Sequence, residues 1–557
     1  MKKGLLITLL VIMIIIILIG LGIGYFYYQI NREPNIPANG YLKINLGGDI
    51  VDNDNSIVQK NITVRDLWYH LNRAKRDNRI KGILLKLSFL KSGFAKTDDI
   101  GRIIKNFRKS GKKVYTYIEN GGIRELQLAS YTDKIYVYPN NGLSLNGLSI
   151  QALFLKNALT KIGIEADFLN VGDYKTGPNM FTKDKMTKPH RESMTTLVND
   201  IYNSSIKIIS TNRKVNENLI RNLVNDFTTD GTEILKAGLI DGLKYEDEIL
   251  ELKKSEIVNF SVYKETKSPL PFKGKNKIAI IFAQGEIHSG KSGGKSVFGN
   301  KIMGSDTIKK YLQSAREDKS VKCVVLRVDS PGGSPIASDV IRHEAELLMK
   351  EKPLVISMSD LAASGGYMIS LSSSKIIALP QTITGSIGVY GGKFVLKGLY
   401  DKIGVNKEII TTSKYANFYS DYRKFNDEER KKYASIMDEI YKLFVNKTIK
   451  GRNLPAKDIK SIAEGRVWSG VRAKKLNLID QYGGLDKAVS EAAILAKLDL
   501  EKNVGLKIYP PSKSLLDFIF DILGSKNLGM ISAMKSGLER YKTFFPATIL
   551  PFKIIIE

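Results

Sequence analysis

Asp360-Leu-Ala-Ala-Ser-Gly-Gly-Tyr-Met368 is the stretch on which the reading of this chain turns. Ahead of it, Leu354 to Met358 has the length and apolar character of a buried strand. Gly365-Gly366 then permit a tight strand-to-helix turn, with a helix expected over Tyr367 to Ser373. Ser364 falls at the first turn of that helix and is a candidate nucleophile. Working outward, Cys323 to Val328 reads as a second strand, followed by Asp329-Ser-Pro-Gly-Gly333 and a helical pattern from Ile336 to Met349. Glycines where a strand opens into a helix expose backbone N–H groups, which suit an oxyanion. Asp329 reads as a cap on that turn.

The chain has 557 residues, and cores stop growing near ~250–300, so two large domains are expected. Its 85 basic and 57 acidic residues leave a formal charge of +28. The lysines are spread along the whole length, with no aromatic-interleaved basic cluster, so nucleic acid is not an expected partner. A solvated lysine-rich surface fits better, with an auxiliary attraction to anionic membranes as the alternative. The single cysteine, Cys323, excludes disulfides and cysteine-rich metal sites within one chain. His70, His190, His288 and His343 show no metal-ligand spacing, so neither metal nor cofactor is expected. His343 follows the glycine turn and is the base a Ser–His–Asp rival would need; it reads as an exposed helical residue.

Lys2 and Lys3 precede an apolar run from Leu5 to Tyr28, long enough to span ~30 Å of hydrocarbon. The expectation is an uncleaved single-pass anchor in the inner (cytoplasmic) membrane, with the bulk of the chain on the outer or periplasmic side. The expected segments are an anchor at 1–28, a linker at 29–40, a first repeat at 41–262, a linker at 263–275, a second repeat at 276–500 and a C-terminal extension at 501–557. In the extension, Leu515–Leu523 and Ala547–Ile556 are apolar runs read as core or oligomer contacts.

The repeats are visible in the chain itself. Arg79-Ile-Lys-Gly-Ile-Leu-Leu-Lys-Leu87 resembles Ser320-Val-Lys-Cys-Val-Val-Leu-Arg-Val328, and Lys134-Ile-Tyr-Val-Tyr-Pro139 resembles Lys375-Ile-Ile-Ala-Leu-Pro380, both at an offset of 241. Short β-runs alternate with helical patterns in each, which argues for an α/β architecture with crossover units. Tyr174 and Tyr415 occupy equivalent positions and read as core.

Duplicated copies keep what the fold needs, so one-sided differences mark something else. Ser364 faces Ile123, Gly332-Gly333 face Lys91-Ser92, and Lys175 faces Ala416. A serine hydroxyl is a poor nucleophile until a base takes its proton, and an uncharged lysine amine serves for that. The expectation is a composite site, with Ser364 from the second repeat and Lys175 from the first. Lys175 must then be neutral near pH 7, which burial in an apolar cleft can bring about. Ser386, in Thr384-Gly-Ser-Ile-Gly-Val389, is placed to hold the amine without restoring its charge; its counterpart is Leu145.

With Asp329-Ser-Pro-Gly-Gly, Ala363-Ser-Gly-Gly-Tyr, Thr384-Gly-Ser-Ile-Gly, Gly172-Asp-Tyr-Lys and Gly465-Arg-Val-Trp-Ser-Gly, the chain resembles the long, tandem-repeat form of the signal peptide peptidase A family. The resemblance implies two ClpP/crotonase-like ββα spiral domains and a Ser–Lys dyad, with Ser364 as nucleophile, Lys175 as base and Ser386 as its support. It further implies an oxyanion hole at Gly332 or Gly333 with a contribution from Gly365, apolar peptide substrates such as cleaved signal peptides, and a homo-oligomer, a tetramer. Two other readings are a crotonase-type acyl-CoA enzyme and a non-catalytic membrane scaffold.

Overall fold

The computed structural model describes residues 33–54, 61–249, 256–266, 271–296, 299–500, 502, 504–511 and 548–549, with scattered positions between 13 and 25. In the first repeat, β1 (Gly40–Gly48), β2 (Ile80–Leu90), β3 (Lys113–Asn120), β4 (Lys134–Val137), β6 (Gly242–Leu243) and β7 (Ile257–Asn259) form a parallel sheet in the order β6-β4-β3-β2-β1-β7. The strand between them in sequence, β5 (Glu165–Val171), is not part of it.

The second repeat contributes β8 (Asn276–Gln284), β9 (Glu286–His288), β10 (Ile302–Gly304), β11 (Val321–Ser330), β12 (Gly332–Gly333), β13 (Leu354–Ala363), β14 (Lys375–Ala378), β15 (Ile383–Gly385), β16 (Val389–Val395), β17 (Val467–Ser469), β18 (Gln481–Tyr482) and β19 (Val504–Tyr509). Six of these run parallel in the order β18-β14-β13-β11-β8-β19, the topology of the first sheet strand for strand. The chain is therefore a tandem α/β duplication. Both central strands are near-continuous apolar runs, as a sheet covered on both faces requires.

The second sheet goes further than the first. β13 extends past the reach of β14 to pair with β15, which pairs antiparallel with β17. This extra corner carries Ser364 and Ser386. The helix behind Ser364 is shorter than expected, covering only Gly365–Met368. Beyond it Ser370 and Ser373 bond to the carbonyls of Gly366 and Ser370 instead of continuing the helix.

One apolar cluster runs from Leu42, Ile83 and Leu126 in the first repeat to Ile278, Val325 and Val355 in the second. Polar ties cross the same boundary, among them Gln127 to Gln381 at 3.0 Å and the Leu485 N–H to Asp99 at 3.1 Å. A buried ionic layer completes it. Arg327 contacts Asp52 and Asp99, each at 2.7 Å, while Lys96 of the first repeat reaches Asp329 at 2.9 Å and Asp360 at 3.3 Å in the second. Asp329 does more than cap a turn, because its other oxygen accepts from the Leu361 N–H at 3.2 Å on the strand leading to Ser364. Burial pushes the Asp99 and Asp329 carboxyls up to about 6.

Two expectations are corrected. Among the described residues no helix is long and apolar enough to cross a membrane. A span needs about 20 consecutive apolar helical residues, and of the run from Leu5 to Tyr28 only scattered positions lie among the described ones. The single-pass anchor, and with it the placement in an inner membrane, is withdrawn. Tyr415 is 41% exposed and Tyr174 half-buried, so equivalence between repeats did not mark core at this position. Of the apolar C-terminal runs, only Thr548–Ile549, here β20, falls within the described residues.

Candidate active site

At the end of β13 the chain turns sharply through Ser364, whose φ of +56° and ψ of −118° are rarely adopted by a residue with a side chain. Such a conformation costs on the order of 1–3 kcal/mol and persists only where its surroundings hold it. Its N–H donates to the Gly385 carbonyl at 2.8 Å, and its own carbonyl accepts from Met368 at 2.9 Å. Gly366 is required by close approach, since a Cβ there would lie 2.7 Å from the Ser330 carbonyl oxygen. Ser386 also has a positive φ, +54°, and its N–H donates to the Arg466 carbonyl at 2.7 Å.

Lys175 arrives from the other repeat. β5 pairs antiparallel with β16 of the second repeat, Val171 opposite Val389. Lys175 follows the first strand by four residues and Ser386 precedes the second by three, so one ladder positions both. The Gly172-Asp-Tyr-Lys loop docks on Glu464 and Gly465: the Tyr174 N–H donates to the Glu464 carbonyl at 3.0 Å. Gly465, at φ +80°, lies so close that a Cβ would sit 2.4 Å from the Cβ of Lys175. Arg466 is sandwiched between the Tyr174 and Trp468 rings, 4.7 and 4.6 Å from their centroids, and pairs with Glu192 at 2.9 Å.

Across this boundary Lys175 Nζ lies 2.8 Å from Ser364 Oγ and 3.0 Å from both the carbonyl oxygen and Oγ of Ser386. The lysine is 1% exposed and has no carboxylate among these partners; burial holds its amine well below the usual lysine range. His343 is exposed on the helix Pro335–Met349, and among the described residues no histidine bonds to Ser364.

The glycine turn sits alongside. Gly332 and Gly333 form β12, paired at Gly333 with Ile287 of β9, and a Cβ on Gly333 would fall 2.0 Å from the Ile287 carbonyl oxygen. The Gly332 N–H donates to Ser330 Oγ at 3.2 Å. On its other edge β12 pairs antiparallel with Thr548–Ile549, so an extended segment of the chain's own C-terminal part lies across the turn. Gly365 opens the short helix behind Ser364. Sequence reasoning singled out Ser364, Lys175, Ser386 and the three glycines, and the fold brings both serines against the lysine. It passed over the packing of Gly465 against Lys175 and the clamp at Arg466, for which Gly465-Arg-Val-Trp was the only signal; Thr548–Ile549 lie in the apolar run read from Ala547 to Ile556, but nothing in the sequence tied that run to the glycine turn.

A buried lysine held against a serine at a strand–helix turn is an arrangement that a hydrolase with a serine nucleophile would use. Within that class, the profile of Peptidase family S49 matches residues 106–258 and 346–499, one stretch in each repeat, and the chain belongs to that family of proteases. The serine protease SPPA, chloroplastic, of Arabidopsis thaliana is 33% identical over 89% of this chain and 75% of its own length. Protease 4 of Salmonella typhi is 30% identical over 91% of this chain and 82% of its own. Among solved structures, a ClpP1 mutant from Listeria monocytogenes covers 39% of this chain and 95% of its own at 12% identity, with a TM-score of 0.25.

Proposed function

We propose that the chain is a serine endopeptidase of the signal peptide peptidase type, working through a Ser364–Lys175 dyad. The observation that carries this reading is the set of partners around Lys175 Nζ. A neutral amine has two N–H donors and one lone pair. It can donate to the two Ser386 oxygens and accept from the Ser364 hydroxyl, and complete burial with no carboxylate among these partners disfavours the ammonium, which has no lone pair to receive a proton. Lys175 takes the Ser364 proton as Oγ bonds to the peptide carbonyl carbon and the carbonyl π pair moves onto oxygen. Collapse of the tetrahedral adduct breaks the C–N bond, and the departing amine takes the proton from Lys175. Water then repeats the cycle on the acyl-enzyme.

The oxyanion donors in this reading are backbone amides of the Gly332–Gly333 turn and of Gly365. Substrate binds as an added strand on the edge of β12 that Thr548–Ile549 occupies in this structure, taking the place of that segment, whose antiparallel pairing supports this mode of recognition. Its class is an extended apolar peptide such as a cleaved signal peptide, and copies of the chain assemble as a homo-oligomer. Replacing Ser364→Ala or Lys175→Ala is expected to lower peptide cleavage by roughly 10⁴-fold, and the double variant no further, because the two act as a unit. Unchanged cleavage in either single variant overturns the dyad.

A further inference from the structure

We propose that Asp360 is a positioning residue for Ser364: its carboxylate, seated in the N-terminus of a first-repeat helix, holds the end of β13 so that the Ser364 hydroxyl stays against Lys175. The inference rests on the dyad reading and deepens it, since the first repeat then places the nucleophile as well as supplying the base.

The seat is the first repeat's counterpart of the turn that follows Gly332-Gly333. At the offset of 241 the helix Phe94–Arg108 corresponds end to end with Pro335–Met349, and Gly93 stands where Ser334 does. The second-repeat helix caps itself, Ser334 Oγ accepting from the Ala337 N–H at 3.3 Å. The first-repeat helix has Gly93 at its N-cap and no side chain of its own to do this. There the N–H of Lys96, the counterpart of Ala337, donates to Asp360 Oδ1 at 2.8 Å, and the Gly93 N–H donates to Asp360 Oδ2 at 3.0 Å. A carboxylate from the other repeat supplies the missing cap. Two charge-assisted bonds at the positive end of a helix fix both of its oxygens.

Gly93 marks where that carboxylate enters. Its backbone is ordinary and extended, φ −66° and ψ 165°, so conformation does not call for glycine. Close approach does: a Cβ at this position would lie 2.3 Å from Asp360 Oδ1. The first repeat thus lacks the local cap that the second retains, and the space holds a side chain four residues ahead of Ser364.

From this seat the hold runs into the candidate site along two paths. Leu361, Ala362 and Ala363 pair with Ile383, Thr384 and Gly385 of β15, so the strand ends that lead into Ser364 and Ser386 form one ladder starting beside Asp360. Ser364 then sits at φ +56°, a conformation that its surroundings must impose. Sideways, Lys96 Nζ lies 3.3 Å from Asp360 Oδ2 and 2.9 Å from Asp329 Oδ2, and the other Asp329 oxygen accepts from the Leu361 N–H. Without Asp360, Lys96 still has Asp329 and, at 3.7 Å, Asp52. The loss therefore falls on the placement of the strand end and leaves Lys96 paired.

The test compares full-length Asp360→Ala, Gly93→Ser and the variant carrying both. Gly93→Ser gives the helix a cap of its own, as Ser334 does, and puts a side chain where the Asp360 carboxylate enters. Asp360→Ala and Gly93→Ser are each expected to lower kcat for peptide cleavage by about 10²-fold, the cost of a misplacement of roughly 1 Å, with KM changed by less than about threefold. KM holds because Gly333, on the strand where substrate is read to pair, keeps its own partner Ile287. The rate at which a serine-directed phosphonate modifies Ser364 is expected to fall with kcat. In urea unfolding the double variant is expected to regain about half or more of the midpoint that Asp360→Ala loses, while its kcat stays down. With Ser364→Ala inactive, a kcat within about threefold of wild type in Asp360→Ala, or a double variant whose kcat returns together with its stability, as a mere helix cap would give, overturns the proposal and leaves the dyad standing. Cleavage that survives in Ser364→Ala overturns the dyad and the proposal with it.

Discussion

In the proposed dyad, Lys175 is the residue on which the chemistry concentrates. An unperturbed lysine titrates near 10.4, and burial without a carboxylate partner lowers that value in the folded chain. The unfolded chain then binds more protons than the folded one at any pH between the two values, so stability rises with pH across that window. The buried amine is destabilising at neutral pH and ceases to be so above the unfolded pKa. Lys175→Met, close in volume and without a charge to desolvate, is expected to raise the denaturant midpoint at pH 7, with the advantage shrinking toward pH 10.5. An advantage that stays constant with pH contradicts a neutral Lys175. Both Ser364 and Lys175 were legible in the sequence because the second copy of each stretch lacks them, Ile123 and Ala416 standing in their places. Gly465 was not legible as their neighbour, since close approach between residues 290 positions apart leaves no local trace.

At the scale of elements, the corner made by β13, β15 and β17 holds the two strained serines, and the ionic layer beneath it ties that corner to the helix Phe94–Arg108. Lys96 on this helix meets Asp329 at the end of β11 and Asp360 on β13, so a first-repeat side chain fixes the strands that carry the glycine turn and Ser364. Removing it leaves the half-buried carboxylates of Asp329 and Asp360 without their counter-charge, and the buried Asp52 with Arg327 alone. Lys96→Met is expected to cost about 3–5 kcal/mol in urea unfolding. A loss under ~1 kcal/mol, the range of a surface pair, contradicts this role. The strand cores and the helices behind them were visible as apolar runs and periodic patterns. Their ends were not: β13 runs to Ala363 instead of Met358 because pairing with β15 continues the ladder, a partner decided by tertiary structure alone.

For the whole molecule, duplication was readable as an offset, and the two sheets repeat it in the same strand order. The seam between repeats was not, because it pairs strands that are not each other's counterparts, β5 with β16, and self-comparison shows only likeness. That seam brings the amine and the hydroxyl to 2.8 Å within one chain, and in the proposed reading this completes the site there. Mixing Ser364→Ala chains with Lys175→Ala chains is therefore expected to restore no cleavage. Recovery of activity in the mixture contradicts a site closed within each copy. The most direct measurement of the account is the rate at which a serine-directed phosphonate modifies Ser364, followed by intact mass as a function of pH. The account predicts a rate that rises with a single apparent pKa well below the ordinary lysine value and that collapses at every pH in Lys175→Ala. Modification of Ser364 at the same rate in Lys175→Ala, or a rate that rises only near pH 10.4, contradicts it.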